Sequence, residues 1–157
     1  MALACLPMAL SLSVAEFVQH AGPTAGMLIR FLPVWPAVLI AVRRIEVQPL
    51  STLGLSWSGW YSWVCLAGAV MLAGKFGGLI YLIQGGAEEL IYRGWWLQRI
   101  KYGALYGSFL FVLAHGNLHP LALVQYTIFS YLMIALTRRR GLWWAVVAHG
   151  GWNWFVS

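Results

Sequence analysis

Long apolar runs recur along nearly the whole chain, separated only by short breaks that carry Gly, Pro or Arg. Few folds accommodate such a pattern. Segments of this kind sit in lipid, where no water satisfies the backbone, so each polar backbone group must find its partner within its own helix. Only 9% of the residues are charged and 61% are hydrophobic, against roughly a quarter charged in a soluble domain. The expected fold class is therefore all-α, a polytopic transmembrane bundle of six to seven helices. At 157 residues the chain is expected to form one membrane-embedded domain, 1–157.

The formal net charge of +6 does not point to nucleic acid, because the basic residues sit at the ends of apolar spans and form no separate patch. Cys5 and Cys65 match no metal or redox spacing. The N-terminal stretch MALACLPMALSLSVAEFV lacks the basic lead-in of a signal peptide and is expected to be a first membrane helix. Spans are predicted near 1–18, 24–42, 59–84, 87–100, 103–116, 119–137 and 141–156. Pro33 and Pro36 are expected to bend the second, and LGLSWSGW (53–60) reads as an interfacial turn and helix start. Seven crossings would put Arg43-Arg44, Arg99 with Lys101, and Arg138-Arg139-Arg140 on one side, which the positive-inside rule makes cytoplasmic. The N-terminus would then be cytoplasmic and the C-terminus outside.

Against this background GGAEELIYRGWW (85–96) stands out. The chain has four acidic residues, all Glu, and two of them are adjacent, Glu88 and Glu89. A charged carboxylate in mid-membrane costs about 2.5–3.5 kcal/mol on insertion scales. On a regular helix Glu89 and Arg93 are four apart and share a face, so they pair. Glu88 is five from Arg93, about 140° round the helix, and does not share that cation. One carboxylate thus has a structural partner and the other is free to act as a base. The bland alternative is that both are structural, bonded to Arg93 and to nearby Tyr or Trp donors.

The histidines add to this. FLFVLAHGNLH (109–119) ends an apolar span at His115, with Phe111 one turn earlier, and VVAHGGWNW (146–154) places Asn153 one turn after His149 on the same face. A lone His on a membrane helix serves equally well as an inter-helix hydrogen-bonding group; two of them with an unpaired glutamate in one small bundle point to a site. His119, before Pro120, and His20, in VQHAGP, read as loop residues. Gln84, Asn117 and Gln125 are polar and nearby, with no role assigned.

In order and spacing, EELIYR (88–93), FVLAH (111–115) and HGGWN (149–153) fit Glu-Glu-x-x-x-Arg, Phe-x-x-x-His and His-x-x-x-Asn. Together they resemble the CAAX-protease and bacteriocin-processing family of intramembrane peptidases, which includes the type II CAAX prenyl endopeptidases. The resemblance covers about residues 50–157 and leaves the first two spans without a motif. It implies that Glu88 is the general base activating water, assisted by His115. Glu89 and Arg93 would be the supporting pair, and His149 with Asn153 would donate to the oxyanion of the tetrahedral intermediate. Phe111 would pack. Members of the family are often described as metalloproteases, and Glu88, His115 and His149 would make a two-histidine, one-glutamate Zn²⁺ set with an open position. No HExxH is present, and the same groups suffice to hold and deprotonate a water, so the preferred reading requires no cofactor, with zinc the alternative.

Glu88 lies thirteen residues before Lys101, about 20 Å along a helix, which places the site in the outer half of the membrane, in a bacterial inner (plasma) membrane. That placement argues against a prenylated cytoplasmic substrate. It favours a membrane-anchored protein or peptide cut near the external face, as in C-terminal processing or sorting of exported proteins. The competing functions are a non-catalytic peptide-binding or immunity protein of the same fold, and a small proton-coupled transporter. Oxyanion-type donors beside a base favour the peptidase.

Overall fold

The computed structural model describes residues 23–55, 61–74 and 78–157. The expected span 1–18, together with Glu16 and His20, lies outside the described residues, as does most of the 53–60 turn. All regular structure among the described residues is helical. Helix α1 (Pro23–Phe31) gives way at Leu32-Pro33 to α2 (Val34–Ile40), which ends in a π-helical turn, Ala41–Ile45. The bend falls where Pro33 has no N–H to continue the ladder. A 3₁₀ turn, Leu50–Leu53, closes on Gly54 in the left-handed region at φ 77°. Then follow α3 (Tyr61–Ala73) and α4 (Gly78–Glu89), the latter continuing through a π-helical segment, Leu90–Trp96, into a last α turn, Leu97–Arg99. Helices α5 (Gly103–Ala114), α6 (Pro120–Arg140) and α7 (Leu142–Val156) complete the chain.

The expected spans 59–84 and 87–100 therefore divide at the wrong place. Gly85 and Gly86 do not interrupt α4; they lie inside it, because here glycine serves close approach. A Cβ on Gly85 would meet the Gly150 backbone N at 3.0 Å, and one on Gly150 would meet the Leu82 Cα and Tyr81 O at 3.1 Å. The α4–α7 crossing is the most extensive helix pairing among the described residues, and small residues permit it. Gly86 receives the Trp35 indole, whose Nε1 donates to the Ile83 carbonyl at 3.3 Å.

The π segment is the centre of the bundle. Leu90, Ile91, Tyr92, Arg93, Gly94 and Trp95 are consecutive and all buried, and a helix buried on every side is surrounded by others. Phe31, Val34, Val38 and Val42 pack on it from α1 and α2, Phe111 from α5, and Leu142 and Val146 from α7. Helix α6 is one-sided: Ser130, Met133, Ile134 and Thr137 face inward, while Leu121, Val124, Ile128 and Leu132 form an exposed apolar stripe. Acyl chains cover such a stripe without the cost of exposing it to water.

Two helical stretches, Ala25–Ile45 and Pro120–Arg140, each 21 residues, are long and apolar enough to cross a membrane. Helices α3, α5 and α7 have 13, 12 and 15 residues, short of the roughly 20 needed to cross a hydrocarbon core upright. The all-helical class stands, and six or seven full crossings are not established. The basic clusters do gather at one end. Arg99 bonds Glu46, just after Arg43-Arg44, and its Nη2 donates to Thr52 Oγ1 at 2.9 Å. The Leu142 N–H, just after Arg138–Arg140, donates to the Gly54 carbonyl at 3.0 Å beside it.

Gly103 shows how tightly α4 and α5 meet. A Cβ there would lie 2.3 Å from the Trp96 carbonyl O and 2.9 Å from the Leu97 Cα, both backbone. Gly103→Ala is expected to cost about 1–3 kcal/mol through overpacking. Gly151→Ala, with nothing within 4 Å, is expected to be neutral or to stabilise by up to about 1 kcal/mol through helix propensity. Thermal unfolding of the two variants in detergent checks the contrast.

Candidate functional site

The α4–α7 crossing sets His149 of α7 against the glutamate pair of α4. Glu89 is fully buried. Its Oε1 faces the Arg93 Nη1 at 3.0 Å and accepts from the His149 Nδ1 at 2.8 Å. Arg93 is 1% exposed, and its Nη2 donates to Ser130 Oγ at 2.9 Å, which in turn donates to Ser108 Oγ at 2.9 Å. The guanidinium also lies 4.4 Å from the Phe111 ring centroid, a cation–π contact. One buried cation thus joins α4, α5 and α6, while the carboxylate it neutralises holds α7. Ser108 and Ser130 went unremarked in the sequence; a lone small hydroxyl in an apolar helix is the signal that would have found them.

Glu88 is placed differently. Among the described residues it has no arginine or lysine partner. Its Oε1 accepts from the Gln84 Nε2 at 3.2 Å; its Oε2 is buried without a hydrogen-bond partner and lies 3.6 Å from the His149 Nε2. The family resemblance implies that His115 assists Glu88. The structure instead brings His149 to Glu88, and His115 makes no hydrogen bond or ion pair with either glutamate. The reason is position: His115 caps the C-terminus of α5, and its ring is taken up by Phe111 and Tyr126 at centroid distances of 4.5 and 4.3 Å.

The hydrogen bonds assign the ring protons. His115 Nδ1 is 2.7 Å from the Phe111 carbonyl, which only accepts, so Nδ1 carries the hydrogen and Nε2 of the neutral ring is an acceptor. His149 Nδ1 donates to the Glu89 carboxylate in the same way. Its Nε2 therefore carries a hydrogen only when the ring is an imidazolium.

A cavity of about 30 Å³, room for a single water, is lined by Phe111, His115, Gln125, Tyr126, Phe129, His149, Trp152 and Asn153. The two histidines and Asn153, from α5 and α7, thus share one small chamber with aromatic walls. Phe111 is 1% exposed and packs against both imidazoles, with centroids at 4.5 and 5.8 Å. Glu88 is not in the cavity wall and borders it through His149. His119 is exposed at the start of α6. The zinc set Glu88, His115 and His149 is not assembled: among the described residues no three His, Cys, Asp or Glu side chains group as a metal ion requires. The described side chains do not fit that metal.

Comparison with known proteins gives the family. The family model of the type II CAAX prenyl endopeptidase Rce1-like proteins matches residues 75–155. No curated protein and no solved structure matches the chain. The matched segment holds the two glutamates, Arg93, both cavity histidines and Asn153. It spans slightly more than half of the sequence, and the chain belongs to the type II CAAX prenyl endopeptidase Rce1-like family, a family of membrane proteases.

Proposed function

We propose that the protein is an intramembrane endopeptidase that hydrolyses a peptide bond in a membrane-associated protein or peptide with side chains and water alone. The observation that carries the reading is His149, fixed by Glu89 at 2.8 Å and facing the bare Glu88 oxygen at 3.6 Å, in the wall of a chamber shared with His115 and Asn153. The whole chain is read as one membrane-embedded domain, packed as a bundle of six or seven membrane helices of which some are tilted or only partly inserted.

The roles follow from the proton assignments. The water oxygen attacks the scissile carbonyl carbon, held by a hydrogen bond to the acceptor Nε2 of His115, and Glu88 takes its proton. The negative charge that develops on the carbonyl oxygen meets the Asn153 amide and the His149 ring, whose Nε2–H donates when the ring is protonated. Glu88 then returns the proton to the leaving nitrogen as the C–N bond breaks, which yields a carboxylic acid and an amine. Glu88 acts as the base because no arginine or lysine among the described residues pairs with it, whereas Arg93 holds Glu89 in place behind His149.

The site sits away from the end where the basic clusters gather, since Glu88 precedes Arg99 by eleven residues, about 16 Å of helix. With that end cytoplasmic, the site lies in the outer half of a bacterial plasma membrane. Its substrate is then a precursor cut near the external face, such as an exported protein with a C-terminal anchor.

Glu88→Gln is expected to lower turnover about 10²–10⁴-fold with thermal stability preserved. Proteomics of membrane precursors in cells carrying this variant reads the effect as uncut substrates, and unimpaired processing there sinks the proposal. Arg93→Met is expected to do the reverse of a clean catalytic knockout. It strips a buried carboxylate of its cation and costs about 3–5 kcal/mol of stability, visible as a large fall in the thermal midpoint in detergent. Asn153→Ala is expected to reduce turnover about 10²-fold, the scale of one lost oxyanion donor. A reporter fused after Ser157 is expected to read as external; a cytoplasmic reading overturns the placement.

A further inference from the structure

The proposed reaction leaves one polar contact on Glu88 without a purpose. Gln84 stands one turn before Glu88 on α4, half-buried, and its Nε2 donates to Glu88 Oε1 at 3.2 Å. A glutamate side chain has three rotatable bonds, and a carboxylate with neither cation nor donor would turn freely among its rotamers. The contact removes that freedom from one oxygen. The other, Oε2, is left buried, without a hydrogen-bond partner and aimed at His149.

We infer that Gln84 is the positioning residue of Glu88: its amide ties one carboxylate oxygen so that the other stays bare and turned toward the reacting atoms. This rests on the peptidase reading above. The chemistry of the side chain is what the task demands. An amide donates without charge, so it orients the carboxylate and leaves its basicity in place, whereas a lysine or arginine would hold it as firmly and quench it in an ion pair, as Arg93 does for Glu89. An apolar residue would do neither. The adjacent Gly85 and Gly86 let α4 approach α7 and Trp35, and this fixes the turn of helix on which donor and acceptor both stand. The two glutamates are thus sorted by their i±4 neighbours, a cation after Glu89 and a neutral donor before Glu88.

The test uses the full-length protein in cells, with the pulse-labelled membrane precursors that accumulate under Glu88→Gln as the probe. Gln84→Leu is expected to lengthen their half-life about tenfold, the effect of one lost hydrogen bond to a charged group, with the thermal midpoint of the purified protein unchanged. Raising precursor expression should not restore the rate, because the loss is in turnover and not in binding. Gln84→His, which offers a neutral N–H, is expected to recover to within about threefold of wild type. Gln84→Lys is expected to be slower than Gln84→Leu although at least as stable. A structural role predicts that Leu, His and Lys follow stability instead, and that order overturns the inference. Wild-type rates in Gln84→Leu overturn it alone and leave the peptidase standing. Absence of any accumulating precursor under Glu88→Gln overturns the peptidase reading and this inference with it.

Discussion

A single carboxylate oxygen, Oε1 of Glu89, faces both Arg93 at 3.0 Å and His149 at 2.8 Å. Through the first it reaches Ser130 and Ser108, hence α6 and α5; through the second it reaches α7. In a bundle with so few charges, that atom fixes the mutual placement of four helices. Its energetic weight comes less from attraction than from the absence of any alternative. A buried anion, a buried guanidinium and a buried imidazole have no water to fall back on, so each is held where the others are. The same constraint makes the neighbouring carboxylate available, since among the described residues the one buried arginine beside the pair is already engaged.

The glycines supply the geometry that this network needs. With Gly85 against Gly150, the α4 and α7 backbones come close enough for nearby side chains to meet directly. His149, next to Gly150, and Glu89, one turn after Gly85, do so. A larger residue at either glycine would separate the helices and open the contact, so packing and electrostatics here depend on each other.

Much of this was legible in the chain. The helical class followed from apolar runs, and the Glu89–Arg93 pairing from their spacing. The gathering of Arg43, Arg44, Arg99 and Arg138–Arg140 at one end followed from their positions at span ends, and the structure ties those ends together through Glu46, Thr52 and Gly54. What was not legible depends on how helices cross. Spacing along α5 puts His115 at the end of an apolar helix but does not say which imidazole meets Glu88. Only the α4–α7 approach gives that place to His149. Gly85-Gly86 is equally consistent with a break and with a contact, and the reading as a break put a helix boundary inside α4. The number of full membrane crossings is likewise not established, because an apolar run does not reveal where its helix stops.

The π-helical segment Leu90–Trp96 was also unforeseen, since the sequence reading wound the helix regularly. Its hydrogen bonds reach one residue further than those of an α-helix, so the part of α4 that bears the glutamates and the part that ends at Arg99 are phased independently. Wound evenly as an α-helix, the same residues would turn everything beyond this stretch by about 100°. Arg99 would leave Glu46 and Thr52, while Glu88 and Glu89 stayed where they are. The wide turn therefore works as a spacer in angle: it lets one continuous rod present its chemistry in one direction and its anchorage in another.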